Sequence, residues 1–255
     1  MAVYIAPTQI GAKCCRALVR CLPFASPLAS SLSQSLQQLW RSVVQGIKKK
    51  YFHFTERFWF DLQYGTNTSK VIELHDFSAS MDSLAHGKAY YASWTSEVKK
   101  SHHFMMELLK DTFNDHLVID LGCGKGKVCL VWELMNQIKG RQQTIIGIDY
   151  YQPFIAIAQA NHQKVFGNSG YFIHQNVADL HFLEFKKPLI VYLFNPFDEV
   201  MLEQVLNRIG KIPAYLVYNI PMHWPVLVAH GYRRVYATTG TNQNQTTLIY
   251  TNTQA

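Results

Sequence analysis

Acidic residues are absent from the first 55 positions of this 255-residue chain. Seven lysine and arginine residues lie there, and the other 17 basic residues are balanced by all 17 acidic ones, so the formal net charge of +7 belongs to the N-terminal segment. A protein that binds duplex nucleic acid usually surrounds its site with basic side chains that neutralise phosphates. The neutral body of this chain therefore makes nucleic acid an unlikely substrate.

Long hydrophobic runs and metal-binding patterns are also missing. No stretch of about 18 uncharged apolar residues occurs, which predicts that no helix spans a membrane. The five cysteines suggest neither a disulfide framework nor a metal site, which favours a reducing, cytoplasmic environment and no bound metal. His102 and His103 are adjacent on a predicted helix and cannot share one face as ligands.

A glycine-rich turn between a predicted strand and a predicted helix is the most informative motif. The strand ends near Asp120, and the turn runs from Gly122 to Gly126. A second apolar run ends in Asp149, 23 residues beyond Gly126, where a strand-end carboxylate can meet the two hydroxyls of a ribose. Together, these two features predict a site for a nucleoside cofactor.

The details of the turn indicate which cofactor it takes. The dinucleotide fingerprint has a third glycine where this chain has Lys127. Asp120 at the mouth of the turn would repel a pyrophosphate and attract a cationic ligand. S-adenosylmethionine carries an ammonium and a sulfonium, so it fits this turn better than a dinucleotide does.

These two motifs resemble those of the class I S-adenosylmethionine-dependent methyltransferases, in which an acid precedes G-x-G-x-G and a second acid closes the next strand. The resemblance implies an enzyme with S-adenosyl-L-methionine as its cofactor. Two alternatives stay open: an NAD(P)-dependent oxidoreductase, and a catalytically silent nucleoside-binding module anchored through its basic helix. The cofactor-binding residues predicted from these motifs are Asp120, Gly122, Cys123, Gly124, Gly126, Asp149 and Tyr150.

Alternating strand and helix patterns predict an α/β fold, a doubly wound Rossmann-like seven-stranded sheet with a C-terminal antiparallel hairpin and an N-terminal helical extension. The predicted strands are 117–121, 144–149, 171–175, 189–194 and 214–219, with a hairpin over 232–238 and 246–251. The predicted helices are 126–137, 153–166 and 198–210. We divide the chain into a basic extension (1–55), an entrance segment (56–116) and a cofactor-binding core (117–255).

Residues that follow the strands are further candidates, because ligands of such sheets bind at the carboxyl ends of the strands. Asn176, followed by Val177, stands where the family often has an acid that accepts a hydrogen bond from adenine; Asp179 is a weaker candidate for this role. The fourth strand ends in Asn195-Pro196-Phe197. This motif resembles the Asn-Pro-Pro-aromatic motif of amino-nitrogen methyltransferases, although the second proline is absent.

We interpret Asn195, Pro196 and Phe197 as the candidate catalytic residues. The resemblance implies methyl transfer to an amino nitrogen of a protein side chain or small molecule, with Asn195 and nearby carbonyls holding the acceptor and Phe197 packing against it. The alternative is a capped turn before the next helix.

The entrance segment and the Asn-Pro-Phe ending also resemble a bacterial group of class I enzymes. A looser resemblance is to the non-SET histone lysine methyltransferases, in which an N-terminal loop with Tyr and Ser or Thr closes over the cofactor. That resemblance implies that Tyr91 and Thr95 contact the cofactor.

The basic extension contains a predicted amphipathic helix that begins at Ser26-Pro27 and ends in Lys48-Lys49-Lys50. Three interpretations are compatible with it: peripheral contact of residues 26–50 with an anionic membrane, packing on the catalytic domain, or a mitochondrial transit peptide over residues 1–45.

Overall fold

The computed structural model describes residues 34–76, 88–238, 240 and 245–253. The predicted helix start at Ser26-Pro27 lies outside these residues. The chain divides into two compact units, Met1–His53 and Phe54–Ala255. No helix among the described residues has the length and hydropathy of a membrane span.

Helices and short helical turns precede the sheet. Helix α1, Gln34–Phe54, is followed by a π-helical turn, Thr55–Trp59, and by the short helix α2, Phe60–Tyr64. Helix α3, Thr95–Leu109, then leads through a 3₁₀ segment, Lys110–Asp115, into the sheet.

Seven strands form one mixed sheet in the order β3-β2-β1-β4-β5-β7-β6. The strands are β1 Leu117–Leu121, β2 Ile145–Asp149, β3 Tyr171–His174, β4 Leu189–Phe194, β5 Ala214–Asn219, β6 Arg233–Thr238 and β7 Thr247–Thr251. The first five are mutually parallel, and β7 runs antiparallel to both β5 and β6. The predicted seven-stranded sheet with an antiparallel C-terminal pair is confirmed.

Four helices connect the strands: α4 Lys127–Lys139, α5 Gln152–Phe166, α6 Glu199–Ile209 and α7 Trp224–Ala229. Their ends follow local chemistry: Gly140 ends α4 in a left-handed conformation, and the Asp198 carboxylate caps α6 by accepting a hydrogen bond from the Met201 amide at 3.0 Å. The first three agree with the predicted helices to within two residues, whereas the short α7 was not predicted.

Two apolar clusters cover the two faces of the sheet. Successive residues of β1 and β4 point to opposite faces, so Ile119 and Val191 join one cluster and Val118 and Ile190 join the other. This burial on both faces explains why these strands are nearly continuous apolar runs. The chain extends from β1 to β2 on one side and to β4 on the other, so the reversal of strand order lies at β1/β4, where a ligand crevice is expected.

Candidate active site

The glycine turn after β1 is anchored to β2 and covered on two sides. The amides of Gly122 and Cys123 both donate to the Ile148 carbonyl, at 2.9 and 3.0 Å. Gly122 has φ +73°, and a Cβ there would lie 2.6 Å from the Pro196 Cβ; a Cβ on Gly124 would collide with the Tyr90 ring. Both positions therefore require glycine, because the backbone is left-handed and a neighbour occupies the space.

Asp149, at the end of β2, is fixed by the turn that it faces. Its two oxygens accept hydrogen bonds from the Gly124 amide at 2.8 Å and the Tyr151 amide at 2.9 Å. Burial raises the pKa of Asp149 to about 6, although these amides oppose the shift. Each carboxylate oxygen has a second lone pair, so the group can still accept hydrogen bonds from ribose hydroxyls.

Asp120 is the more strongly perturbed acid of the site. Its side chain is fully enclosed, and burial, reinforced by the charge of Asp149, raises its pKa to about 8. The Cys129 thiol donates to it at 3.9 Å. Asp120 is thus mostly protonated at neutral pH, and a cation bound beside it would favour the ionised form.

The two lysines of the turn bind the entrance segment. Lys125 Nζ donates to the Lys70 carbonyl at 3.0 Å and lies 4.9 Å from the centroid of the Tyr90 ring. Lys127 Nζ donates to the Glu56 carbonyl at 2.8 Å. Burial lowers the pKa of Lys127 to about 8. Lys127, which replaces the third glycine of the dinucleotide fingerprint, therefore attaches the preceding chain to the turn.

Asp61 organises the part of the entrance segment that these lysines hold. Its carboxylate accepts hydrogen bonds from the Thr66 hydroxyl at 2.6 Å, the Thr68 hydroxyl at 2.7 Å and the Ser69 amide at 2.7 Å. Partial burial would raise the pKa of Asp61, but these hydrogen bonds outweigh it and keep the pKa below its usual value. The Thr68 carbonyl in turn accepts from the Tyr90 hydroxyl at 2.7 Å.

Tyr90, and not the predicted Tyr91, meets the glycine turn. The Tyr90 ring is buried against Gly124 and Phe154, whereas Tyr91 is 52% exposed and its hydroxyl donates to Glu73 at 3.3 Å. The location of Tyr91 gives no support to its predicted cofactor role. The sequence resemblance pointed to a tyrosine in this segment, but two adjacent tyrosines could not be distinguished by pattern.

Buried polar atoms cluster where α3 begins. Among the described residues, the Thr95 and Ser96 hydroxyls and Glu97 Oε2 have no hydrogen-bond partner. Tyr192 lies beside Asp120 in the β1/β4 register, and burial, followed by the charge of Asp120, raises its pKa. Unsatisfied buried polar groups are costly, so these atoms are candidates for binding polar ligand groups. Of these residues, only Thr95 was predicted; the others carry no recognised motif.

The residues that follow β3 form a short capped turn. Asn176 caps a short 3₁₀ turn, and its side-chain carbonyl accepts from the Ala178 amide at 3.0 Å. That carbonyl is therefore already engaged, so an adenine amino group would have to share it. Val177 is buried in the core, and Asp179 closes the turn.

The Asn-Pro-Phe motif lies against the glycine turn. Asn195 has φ +42°, and its Oδ1 is buried without a partner among the described residues. Pro196 packs on Gly122. Phe197 is 7% exposed and belongs to the apolar cluster, so the structure gives it a packing role and no support for a contact with the acceptor.

The neighbouring strand end is strained in the same way. Phe194 pairs with Asn219, and the following residue, Ile220, has φ +50°, a conformation that β-branched residues rarely adopt. Met222 and Trp224 follow and are 61% and 45% exposed. No turn signal in the sequence had marked Ile220.

Comparison with known proteins assigns the domain. A family model described as a methyltransferase domain matches residues 113–234, from the 3₁₀ segment before β1 into β6. Residues 113–234 therefore carry a methyltransferase domain, as the sequence predicts. Among curated proteins, no sequence matches this one.

Solved structures similar to this methyltransferase include other methyltransferases. A ribosomal protein L11 methylase from Lactobacillus delbrueckii subsp. bulgaricus is 9% identical, covers 61% of this chain and 78% of its own, and has a TM-score of 0.42. A SAM-dependent methyltransferase from Aquifex aeolicus is 14% identical, with 62% and 97% covered and a TM-score of 0.41. A putative RNA methyltransferase from Pyrococcus horikoshii is 15% identical, with 59% and 81% covered and a TM-score of 0.42. The assignment rests on the family model and the site, because these similarities are too distant to support one.

S-adenosylmethionine is the cofactor of this methyltransferase, and the geometry of the site fits it. Asp149 offers carboxylate lone pairs for the ribose, and Asp120 offers a buried acid for a cation. The glycine turn offers a backbone without side chains. The dinucleotide fingerprint requires a third glycine, and this chain has Lys127 at that position. The Lys127 side chain is hydrogen-bonded to the entrance segment.

Proposed function

We propose that this methyltransferase transfers its methyl group to an amino nitrogen of a protein side chain or small molecule. The observation that carries the proposal is the buried Oδ1 of Asn195 at the end of β4, for which the described part of the chain offers no hydrogen-bond donor. An amide oxygen can only accept hydrogen bonds, and an amine is a donor that also keeps a lone pair for attack. A buried acceptor without a donor costs about 1–3 kcal/mol, which a bound amine would recover.

Asn195 is positioned by the contact of Pro196 with Gly122, which joins the Asn-Pro-Phe motif to the cofactor turn. A nitrogen bound at Asn195 would therefore be close to the cofactor. Proximity and alignment can supply roughly 7–11 kcal/mol of a barrier when the reacting atoms are held in line. This reaction thus needs no nucleophilic side chain from the enzyme.

When bound, S-adenosylmethionine supplies a methyl group on a positively charged sulfur. With the cofactor bound, the nitrogen lone pair would form the new N–CH₃ bond as the S–CH₃ bond breaks, and the electron pair of that bond would stay on sulfur. The nitrogen would become cationic and release one proton to water. Asn195 would accept an N–H hydrogen bond in the neutral amine, so that the lone pair points away from the amide and toward the methyl group.

The surface beside Asn195 supports an acceptor that presents apolar groups near its nitrogen. Met222 and Trp224 follow the adjacent strand β5 and are exposed, and exposed aromatic side chains are typical of recognition surfaces. The neutral charge balance of residues 56–255 favours a protein or small-molecule acceptor over a nucleic acid.

Label chemistry tests the bond that forms. The purified full chain is incubated with methyl-tritiated S-adenosylmethionine and with separated protein and small-molecule fractions of a cell extract. N-methyl groups survive mild base, whereas carboxyl methyl esters are hydrolysed and release volatile label. We expect base-stable label that co-migrates with methylated amines after acid hydrolysis. Base-labile label, or label in nucleic acid alone, would overturn the proposal.

Asn195 variants then test the residue. Asn195→Ala should bind S-adenosylmethionine within about twofold of the wild type while turnover falls by at least about tenfold, which corresponds to one lost hydrogen bond. Asn207→Ala, which alters an exposed asparagine of α6, is the matched control and should change neither quantity. Equal losses of cofactor affinity and turnover in Asn195→Ala would place the residue in the cofactor site or the fold.

A further inference from the structure

Helix α1 carries an exposed apolar stripe. It is 21 residues long, or roughly 30 Å at the usual rise per residue. Five large apolar side chains that recur every three or four residues are between 43% and 62% exposed: Leu36, Leu39, Trp40, Val43 and Ile47. At about 100° per residue they occupy roughly one third of the helix circumference, which is the width of a buried face.

The charge of α1 has one sign only. Its sequence contains no acid and four basic residues, Arg41 and Lys48-Lys49-Lys50. The 33 residues before α1 also contain no acid, so no side chain of the N-terminal segment can neutralise these cations. A surface that complements α1 must therefore offer an apolar layer to the stripe and negative charge to the basic side chains.

We propose that α1 docks parallel to an anionic lipid bilayer, with Leu36, Leu39, Val43 and Ile47 among the acyl chains and the lysines among the headgroups. A bilayer of this composition supplies both an apolar interior and a negative surface, within the depth that one helix can reach. Trp40 lies on the stripe, and indole rings prefer the boundary between headgroups and acyl chains. This inference does not depend on the nature of the methyl acceptor.

Vesicle co-sedimentation of the full chain tests the docking. The probes are vesicles of phosphatidylcholine alone and of phosphatidylcholine with phosphatidylserine. We expect binding to the anionic vesicles only, weakening at least about tenfold when salt is raised from 0.1 to 0.5 M, because surface charges are screened over a few ångströms there. Absence of binding, or equal binding to both vesicles, would overturn the proposal.

Paired variants locate the docking face. Leu39→Glu/Val43→Glu places two acids in the stripe and should lower the partition coefficient on the order of a hundredfold. Gln38→Glu/Gln45→Glu adds the same charge on the opposite, exposed face and should lower it by about threefold, because the charge lies roughly one Debye length away. Equal partition of the two variants would mean that the stripe does not enter the bilayer.

The lysine cluster and the integrity of the catalytic unit are tested separately. Lys48→Gln/Lys49→Gln/Lys50→Gln should weaken binding on the order of a hundredfold, at about 1 kcal/mol per lysine. The thermal shift produced by S-adenosylmethionine should be the same in every variant, which shows that the catalytic unit is folded. Stripe-dependent self-association in solution without vesicle binding would overturn the proposal in favour of a second copy of the chain.

Discussion

The two halves of the active site satisfy their polar groups in opposite ways. In the cofactor half, formed by the ends of β1 and β2, both oxygens of Asp149 already accept backbone hydrogen bonds. In the proposed acceptor half, at the ends of β4 and β5, Asn195 Oδ1 is buried without a partner among the described residues. The first half is preorganised by the chain itself, and in our proposal the acceptor supplies the hydrogen bond that the second half lacks.

That difference explains why the sequence marks the cofactor half more clearly than the proposed acceptor half. A preorganised half needs particular backbone conformations, which require glycine at Gly122 and Gly124. An incomplete half needs only an acceptor atom in the right place, and many sequences can provide one. Five experiments test this contrast, beginning with the largest expected effect.

Removal of the ribose acid should nearly abolish cofactor binding. Asp149→Ala loses two charged hydrogen bonds to the ribose and also releases the Gly124 amide, so we expect S-adenosylmethionine affinity to fall at least about a hundredfold. Isothermal calorimetry measures it, and Asp115→Ala, an exposed acid just before β1, is the matched control. Near-native affinity in Asp149→Ala would disprove the assignment.

Protonation of Asp120 should make cofactor binding depend on pH. Because burial raises its pKa in the ligand-free enzyme to about 8, a bound cation must drive proton release, and affinity should rise about fifteenfold between pH 6.5 and 8. Calorimetry in buffers of different ionisation enthalpy should record about one released proton at pH 7. Asp120→Asn should match the wild type near pH 6 and bind far more weakly at pH 8.5.

The raised pKa of Asp120 has the opposite effect on stability, so the free energy of unfolding should fall as pH rises. The folded-state pKa of Asp120 is raised, so its stabilising contribution is complete below the unfolded value near 3.8 and is lost as pH rises through about 8. Without cofactor, Asp120→Asn should therefore unfold at a higher temperature than the wild type at pH 8.5. A lower unfolding temperature would show that the ionised acid is compensated within the fold.

A glycine pair separates backbone strain from contact between the two halves. Gly122 and Gly140 both have positive φ, but only Gly122 lies against a neighbour, Pro196. Gly140→Ala should cost about 1 kcal/mol of unfolding free energy. Gly122→Ala should cost about 2–4 kcal/mol and also reduce turnover, because the new methyl displaces the Asn195-Pro196 segment. If urea titration gave the same loss of unfolding free energy for both variants, Pro196 would move away from the new methyl group at no cost.

The lysine attachment of the entrance segment should give the smallest effect. Lys125→Met keeps the apolar stem but loses the hydrogen bond to the Lys70 carbonyl, so cofactor affinity should fall about fivefold, or about 1 kcal/mol. Lys164→Met removes an exposed bond to the Gly65 carbonyl and should change affinity by less than twofold. Indistinguishable variants would show that burial adds nothing to the Lys125 bond.

The sequence was sufficient for the sheet and for the cofactor turn, because both depend on local rules. The apolar runs of β1 and β4 and the spacing of Gly122 and Asp149 predict their places directly. The roles of Tyr90 and Lys127 depend on contacts with chain segments far away in sequence, so no local pattern marks them. The left-handed Ile220 shows the same limit, since tertiary packing overrides local preference there.

The contact between Gly122 and Pro196 also limits how closely two parts of the site can approach each other. The segments that follow β1 and β4 meet where no methyl group fits, so this contact sets how closely the two segments can approach each other. A misplacement of about 1 Å between reacting groups can cost roughly a hundredfold in rate. In our proposal, a change in the size of residue 122 or 196 would therefore alter the distance between the cofactor and the acceptor.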